Sequence, residues 1–200
     1  MSHYFTNDEN LTSQPRKVCY SINGKDFELE SDAGVFSKNK LDYGSEVLIK
    51  SLLPIDLGET LLDLGCGIGP IGLTLAYFHP SINVVCSDVN MRALALCEKN
   101  ARKLALNQRV TCLQSDIYIE IEGTYDSIVS NPPIRAGKKV TYAIYIGAKD
   151  HLIDGGSLYV VVRKSQGALS VKAFLEETFG NAVILERDKG YYILKATKVN

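Results

Sequence analysis

The feature that most constrains the fold is a regular alternation of short apolar segments with longer amphipathic ones. Apolar runs such as "TLLDLG", "INVVCSD" and "YDSIVS" alternate with segments that carry apolar residues at helical spacing, such as "NMRALALCEKNARKLAL". Nearly continuous apolar strands that alternate with helices predict a parallel sheet covered by helices on both faces. We therefore predict an α/β fold with a Rossmann-like, doubly wound sheet.

Both ends of the chain depart from this alternation. Near the amino terminus, two short strand patterns flank Asn-Gly at residues 23–24, a pair typical of a tight hairpin turn. Near the carboxyl terminus, two strand patterns flank "DKG" at residues 188–190, and a link this short makes the pair antiparallel. We expect an amino-terminal arm and β-hairpin over residues 1–33, and the main domain over residues 34–200.

The composition excludes several classes of protein. The formal net charge of −1 argues against a generally basic coat for nucleic acid. No stretch approaches the roughly 18 apolar residues that a membrane helix needs, and the amino terminus lacks the apolar core of a signal peptide. The five cysteines include no C-x-x-C pair, which favours buried thiols in a reducing compartment. We expect a cytoplasmic protein that binds neither membrane nor metal.

The segment "LLDLGCGIGPIG" places several glycines where a strand becomes a helix. Such a loop can turn tightly and let a ligand approach the start of the helix. Counted from Gly67, the spacing is the dinucleotide fingerprint G-x-G-x-x-G; counted from Gly65, it is G-x-G-x-G preceded by Asp63. A carboxylate at Asp63 would repel a pyrophosphate and attract an ammonium group. The pattern therefore favours S-adenosylmethionine over a nicotinamide dinucleotide.

Two more carboxylates stand at the ends of the next two strands. Asp88 follows the loop by about 20 residues, where a carboxylate can accept both ribose hydroxyls, and Asp116 is placed for an adenine edge. Open α/β sheets bind ligands at this edge, so three carboxylates there indicate a cofactor site. The residues that we predict to bind the cofactor are Phe36, Asp63, Gly65, Cys66, Gly67, Gly69, Asp88, Val89, Asp116, Ile117 and Asn131.

The next predicted strand ends at Asn131-Pro132-Pro133, on the same edge of the sheet. The prolines hold the backbone rigid and leave the carbonyl between Asn131 and Pro132 without a ladder partner, so this carbonyl and the side-chain oxygen of Asn131 are two fixed acceptors. An exocyclic NH₂ group offers two donors and fits between them. Positioning of its lone pair toward a methyl donor then supplies the catalysis without a general base. The residues that we predict to be catalytic are Asn131, Pro132, Pro133 and Ile134.

These motifs resemble those of the class I S-adenosylmethionine-dependent methyltransferases and, within them, the "small" methyltransferase family of bacterial rRNA guanine-N2 enzymes. The resemblance runs from about residue 34 to 197 and is carried by "GVFSKNKLDYGS", "DLGCGIGPIGLTLA", "SNPPIRAGK" and "DKGYYILKATK". It implies a seven-stranded sheet with an antiparallel last strand, and a chain that corresponds to the catalytic half of two-domain relatives. The chain departs from the family at Ile134, where an aromatic residue often stacks on the target base.

Positive charge is concentrated around the predicted acceptor site. The residues that we predict to contact RNA are Arg135, Lys138, Lys139, Arg163 and Lys164. Cations are unfavourable at a helix amino terminus, so their placement indicates an anionic partner such as a phosphate backbone. We predict a monomeric S-adenosylmethionine-dependent methyltransferase that acts on guanine N2 of ribosomal RNA. The family resemblance implies that this is small-subunit rRNA, either free or in the assembled subunit.

The residues leave other targets and other classes of protein open. Sites that resemble Asn-Pro-Pro also serve adenine N6 and the amide of glutamine in proteins, so the target could be another RNA base or a protein. The alternatives from other classes are a nicotinamide oxidoreductase that uses Gly67, Gly69 and Gly72, and an inactive RNA-binding factor.

Overall fold

The fold was analysed in a computed structural model that describes residues 12–35, 40–132 and 137–199. In chain order the elements are β1 (Arg16–Ile22), β2 (Lys25–Ser31), α1 (Tyr43–Leu52), β3 (Thr60–Leu64), α2 (Pro70–Phe78), β4 (Asn83–Asp88), α3 (Met91–Lys103), β5 (Val110–Gln114), β6 (Tyr125–Ser130), α4 (Gly137–Asp150), β7 (Leu152–Arg163), α5 (Ala168–Phe179), β8 (Val183–Asp188) and β9 (Tyr191–Thr197). A short 3₁₀ helix, Lys164–Gln166, separates β7 from α5.

Seven strands form one sheet in the order β5-β4-β3-β6-β7-β9-β8. The strands β3 to β7 run parallel to one another, whereas β9 is antiparallel to both β7 and β8. The predicted Rossmann-like α/β fold with an antiparallel last strand is therefore confirmed. The order reverses between β3 and β6, and ligands of doubly wound sheets bind in the crevice at the carboxyl ends of such a strand pair.

Each face of the sheet carries its own apolar core, because alternate side chains of a strand point to opposite faces. Leu61 belongs to the core beneath α1, α2 and α3, while its neighbour Leu62 belongs to the core beneath α4 and α5. Covering both faces explains why the strands read as almost continuous apolar runs. It also leaves the carboxyl edge of the sheet as the place where loops can form a site.

The strands β1 and β2 form the predicted hairpin, separate from the main sheet. Its apolar face, which includes Val18 and Phe27, is part of the same core as α1, α2 and α3. Asn100 of α3 bonds to both the N–H and the carbonyl of Glu30 and so holds the hairpin in place. The boundary between residues 33 and 34 remains a prediction. None of the helices in the described ranges has the length and apolar character needed to cross a membrane.

Candidate cofactor and acceptor site

The glycine loop joins β3 to α2 at the carboxyl edge of the sheet. Gly65, Gly67 and Gly69 have φ angles of 76°, 57° and 90°, in the left-handed region that favours glycine. A Cβ added at Gly65 or Gly67 would meet no atom of the described residues within 4 Å, whereas one at Gly69 would lie 2.5 Å from the Sγ of Cys97. Gly69 is thus required by packing, while Gly65 and Gly67 border open space that a ligand can enter.

Asp88, at the end of β4, ties the glycine loop to the sheet. Its Oδ2 accepts the N–H of Gly67 at 2.8 Å and its Oδ1 accepts the N–H of Asn90 at 2.9 Å. Burial raises the pKa of Asp88, although the side chain keeps some exposed surface. Each carboxylate oxygen can accept a second hydrogen bond, so the capacity for the predicted ribose contact is retained.

Asp63 lies beneath the glycine loop and not on its open side. The residue is fully buried, its Oδ2 accepts the N–H of Gly72 at 2.7 Å, and no described residue donates to its Oδ1. Burial raises the pKa of Asp63 to about 7. The structure does not bring this carboxylate to the surface that a ligand would meet, and the predicted attraction for an ammonium group stays a prediction.

Cys66 also turns its side chain inward. The Sγ atoms of Cys66, Cys86 and Cys97 lie within 4.8 Å of one another, and all three residues are buried in the core of this face. Burial is the main cause that raises the pKa of the Cys66 thiol and keeps it protonated. The three residues come from the loop, β4 and α3, so their spacing in the sequence gives no sign of this group. Free thiols in such surroundings pack as small apolar groups.

The other predicted cofactor residues follow β4 and β5 on the same edge. Val89 is half-buried beside Asp88, and Asp116 is exposed just after β5. Ile117 has a φ of 56°, a left-handed conformation that is uncommon for a β-branched residue and often marks a functional turn. The structure thus brings Gly65, Gly67, Asp88 and Asp116 to one edge, as predicted.

Asn131 follows β6 directly, and its side-chain amide has a defined orientation. Its Nδ2 donates to the Oδ2 of Asp42 at 3.0 Å and to the Oγ of Ser45 at 2.9 Å. Since a carboxylate can only accept, the amide atom that faces Asp42 must be the nitrogen. The Oδ1 of Asn131 receives no hydrogen bond from any described residue and is therefore available as an acceptor.

The start of α1 provides this orientation. Asp42 is the N-cap of α1, where its Oδ2 also accepts the N–H of Ser45 at 3.2 Å. The capping geometry therefore holds the two partners of the Asn131 amide in place. We did not predict Asp42 and Ser45 as site residues, although both lie in "LDYGS", within the motif that carries part of the family resemblance.

The remaining predictions concern the residues around Asn131. Pro132 is buried. Four predicted residues lie outside the described ranges: Phe36, Pro133, Ile134 and Arg135. Two exposed lysines lie at the start of α4, Lys138 and Lys139. Two further exposed cations lie where β7 ends, Arg163 and Lys164. None of these four cations forms an ion pair with a carboxylate of the described residues.

Several known proteins are similar to this chain in sequence. The uncharacterized protein YbxB of Bacillus subtilis (strain 168) is 41% identical over 199 residues, which is 98% of each chain. Ribosomal RNA small subunit methyltransferase C of Erwinia tasmaniensis is 35% identical over 170 residues, 82% of this chain and 48% of that protein. The corresponding protein of Aeromonas hydrophila is 40% identical over 165 residues, 80% of this chain and 46% of its own length. The chain thus spans about half the length of the methyltransferase C relatives.

A solved structure supports the same relationship. The 16S rRNA N2 methyltransferase RsmC of T. thermophilus, in complex with AdoMet and guanosine, superimposes with a TM-score of 0.82 at 29% identity, covering 94% of this chain and 52% of that one. Residues 26–195 match the family described as "Methyltransferase small domain", which is most of the chain. The protein therefore belongs to the small methyltransferase domain family.

Proposed function

We propose that this protein is an S-adenosylmethionine-dependent N-methyltransferase that modifies N2 of a guanosine in small-subunit ribosomal RNA. The observation that carries the proposal is the amide of Asn131, which two hydrogen bonds from its Nδ2 hold at the carboxyl edge of the sheet and whose Oδ1 accepts none from a described residue. An acceptor held in this way suits a substrate that donates N–H hydrogen bonds. The location that we propose is the cytoplasm.

The residues of the loop fit S-adenosylmethionine, which supplies a methyl group activated by its sulfonium. The open space beside Gly65 and Gly67 can take a ligand without phosphate, and Asp88 retains acceptor capacity for the ribose hydroxyls. Asp116 and Ile117 follow the next strand, where the adenine would lie, and Val89 stands beside the ribose position. We propose that Asp63 supports the cofactor site indirectly, because its carboxylate accepts the N–H of Gly72 and so holds the start of α2 behind the glycine loop.

We propose that Asn131 orients the exocyclic amine that is methylated. Its Oδ1 and its backbone carbonyl accept the two N–H groups of an exocyclic amine, which turns the nitrogen lone pair toward the methyl group. The amine loses one proton to solvent after transfer, so no side chain has to act as a general base. Pro132 would support this arrangement because its ring fixes φ and because it has no N–H with which to continue the strand ladder.

Two observations favour RNA as the substrate over a protein glutamine. Lys138, Lys139, Arg163 and Lys164 form no ion pair with described carboxylates, and such cations suit a phosphate backbone. Two relatives that match 82% and 80% of this chain are named ribosomal RNA small subunit methyltransferase C, and the T. thermophilus structure contains guanosine. Guanine N2 is the exocyclic amine that agrees with both.

The test is a methyl-transfer assay with product identification. Purified protein is incubated with S-adenosylmethionine and either unmodified 16S rRNA or assembled 30S subunits, and the nucleosides are analysed by mass spectrometry. We expect N2-methylguanosine from at least one of the two substrates. Appearance of N6-methyladenosine or of methylated glutamine would replace guanine as the target, and tight NADH binding without S-adenosylmethionine binding would exclude a methyltransferase.

A further inference from the structure

Two tyrosines and two cations meet at the corner formed by the start of α1, the end of β7 and the turn between β8 and β9. The rings of Tyr43 and Tyr191 lie 5.7 Å apart between centroids. The Arg163 guanidinium lies 4.7 Å from the centroid of the Tyr191 ring, and the Nζ of Lys189 lies 4.8 Å from that of Tyr43. We call these four residues the tyrosine–cation corner.

The corner is held rigidly by contacts among its three elements. The Tyr43 hydroxyl donates to the Oδ2 of Asp188 at 2.5 Å, which ties α1 to the β8–β9 turn. The N–H of Lys164 donates to the carbonyl of Gly190 at 2.7 Å, which ties the end of β7 to the same turn. The Nε of Arg163 donates to the Tyr191 hydroxyl at 2.8 Å. A cation held on a rigid aromatic ring loses less side-chain freedom when it binds an anion.

The cations of the corner have no carboxylate at ion-pair distance among the described residues. The Lys189 ammonium hydrogen-bonds to Tyr43, and this bond, together with the more distant charge of Asp188, raises the pKa of Lys189. Arg163 and Lys189 are exposed, and neither forms an ion pair with a described carboxylate. The nearby Asp188 carboxylate is engaged by the Tyr43 hydroxyl. Only Nε and one terminal nitrogen of Arg163 contact Tyr191, so N–H donors of the planar guanidinium remain for an oxyanion.

The backbone of the β8–β9 turn offers an independent indication. Lys189 and Gly190 have φ angles of 42° and 82°, and the hairpin turn of Asn23 and Gly24 has nearly the same angles, 45° and 77°. Such a turn favours asparagine in its first central position, as in the hairpin, because most side chains are strained there. A lysine in the unfavourable conformation indicates that its side chain has a use beyond the turn.

The corner adjoins the acceptor site. The ring of Tyr191 packs against Gly44, where an added Cβ would lie 2.8 Å from a ring carbon. Gly44 stands between the two residues that orient the Asn131 amide, Asp42 and Ser45. A substrate seated at Asn131 would therefore extend across the corner.

We propose that the tyrosine–cation corner binds the phosphate backbone of RNA next to the nucleotide that is methylated. Arg163 and Lys189 contact phosphates, and Tyr191 and Tyr43 hold these two cations in position. This inference rests on the proposed function, since it assumes an RNA substrate at Asn131. It adds Lys189 and the two tyrosines to the surface, which the sequence alone did not indicate.

The test uses Lys189→Asn, with Lys25→Asn as the matched control. The control removes the same charge from a lysine that also lies over a tyrosine, since the Nζ of Lys25 is 5.0 Å from the centroid of the Tyr77 ring. Tyr77 belongs to the last turn of α2, so this pair lies at the opposite edge of the sheet. Binding of unmodified 16S rRNA is measured at several salt concentrations, together with initial methylation rates and thermal unfolding. Arg163→Gln is measured in the same way.

We expect Lys189→Asn to unfold at the same temperature as the wild type or above it, because asparagine suits the turn. Its affinity for RNA should fall about threefold to tenfold, and the slope of log K against log salt should decrease by about 0.7 to 1. KM for RNA should rise while kcat changes little. Lys25→Asn should match the wild type in affinity and in salt slope.

The outcomes separate this proposal from the proposed function. If the wild type methylates RNA and Lys189→Asn and Arg163→Gln retain its affinity and salt slope, the corner is not a phosphate contact and the proposed function stands. If the wild type binds S-adenosylmethionine and methylates no RNA, the proposed function is wrong. In that case, loss of RNA affinity in Lys189→Asn would still support the corner as an RNA-binding surface, and equal affinity would overturn it.

Discussion

Two asparagines of this protein differ in how their side-chain amides are satisfied. Asn100 in α3 is fully buried; its Oδ1 accepts the N–H of Glu30 at 2.7 Å, and its Nδ2 donates to the carbonyls of Glu30 and Ile68, each at 3.1 Å. Asn131 at the end of β6 has both bonds of its Nδ2 within the protein, whereas its Oδ1 accepts none from a described residue.

The difference separates a residue that serves the fold from one that we propose to bind the substrate. Buried polar groups are normally paired within the protein, and Asn100 follows this rule by joining the hairpin, α3 and the glycine loop. Asn131 is equally fixed, yet its Oδ1 accepts no hydrogen bond from a described residue, and it belongs to the edge where doubly wound sheets bind ligands. A rigid group that leaves one acceptor open at such an edge is suited to bind a donor from outside the chain.

The largest effect that we expect is on catalysis in Asn131→Ala. The change removes the acceptor for the target amine, so turnover should fall about 100- to 1000-fold, equivalent to about 3–4 kcal/mol of transition-state stabilisation. The free energy of unfolding should change by no more than about 1 kcal/mol, since water can form hydrogen bonds with Asp42 and Ser45 in place of the lost amide. The measurements are kcat and calorimetric cofactor affinity; a parallel loss of cofactor binding would contradict the separate role of Asn131.

Asp63 is an intermediate case, with one oxygen paired and one unpaired. Its folded-state pKa of about 7 exceeds the ordinary value of 3.8, so the folded protein binds more protons than the unfolded chain between these values. In the cofactor-free wild type, the contribution of Asp63 to the free energy of unfolding should therefore be greatest below pH 4. It should fall by roughly 3–4 kcal/mol as the pH rises to 7.

Asp63→Asn isolates this contribution, because asparagine cannot ionise and its carbonyl can still accept the N–H of Gly72. Urea unfolding of both proteins from pH 4 to pH 8 measures the difference. We expect the variant to gain stability relative to the wild type as the pH rises. A constant difference across this range would show that Asp63 titrates alike in the folded and unfolded chains.

Asn100→Ala should have its main effect on stability. It leaves the N–H of Glu30 and the carbonyls of Glu30 and Ile68 without their partner, and buried groups of this kind lower the free energy of unfolding by about 3 kcal/mol. The turnover per folded molecule should remain close to that of the wild type at a temperature where both are folded. If turnover fell as far as in Asn131→Ala, the contrast between the two asparagines would not hold.

The smallest effect concerns Asp88→Ala, which should weaken the binding of S-adenosylmethionine by about 1–3 kcal/mol through the loss of hydroxyl partners. The matched control is Asp126→Ala, at the start of β6 and thus at the opposite edge. The Asp126 carboxylate also accepts backbone N–H groups, those of Glu59 and Thr60 at 3.2 and 2.9 Å. The control should lose stability and keep its cofactor affinity. Equal losses of affinity would assign Asp88 to the fold alone.

Much of the architecture follows from local patterns. The tight turns at residues 23–24 and 189–190 have the left-handed conformations that their glycines allow, and the alternation of apolar runs predicted the sheet. The positions of Gly65, Gly67, Asp88 and Asp116 at one edge follow from the same rule, because loops after parallel strands gather there. The direction in which a side chain points does not follow from such local patterns. Asp63 and Cys66 were predicted as cofactor contacts, and both side chains point into the core.

The sequence by itself determined the order and type of the elements, the edge at which the motifs gather and the family, since periodicity, turn chemistry and motif spacing involve residues close in the chain. Only the tertiary structure decided which atom of the Asn131 amide is bonded to Asp42 and Ser45. The amide is oriented by Asp42, which lies 89 residues away in the sequence, and Tyr43 bonds to Asp188 across 145 residues. Such contacts depend on how α1 packs against the ends of β6 and β9, which the packing of both apolar cores sets together.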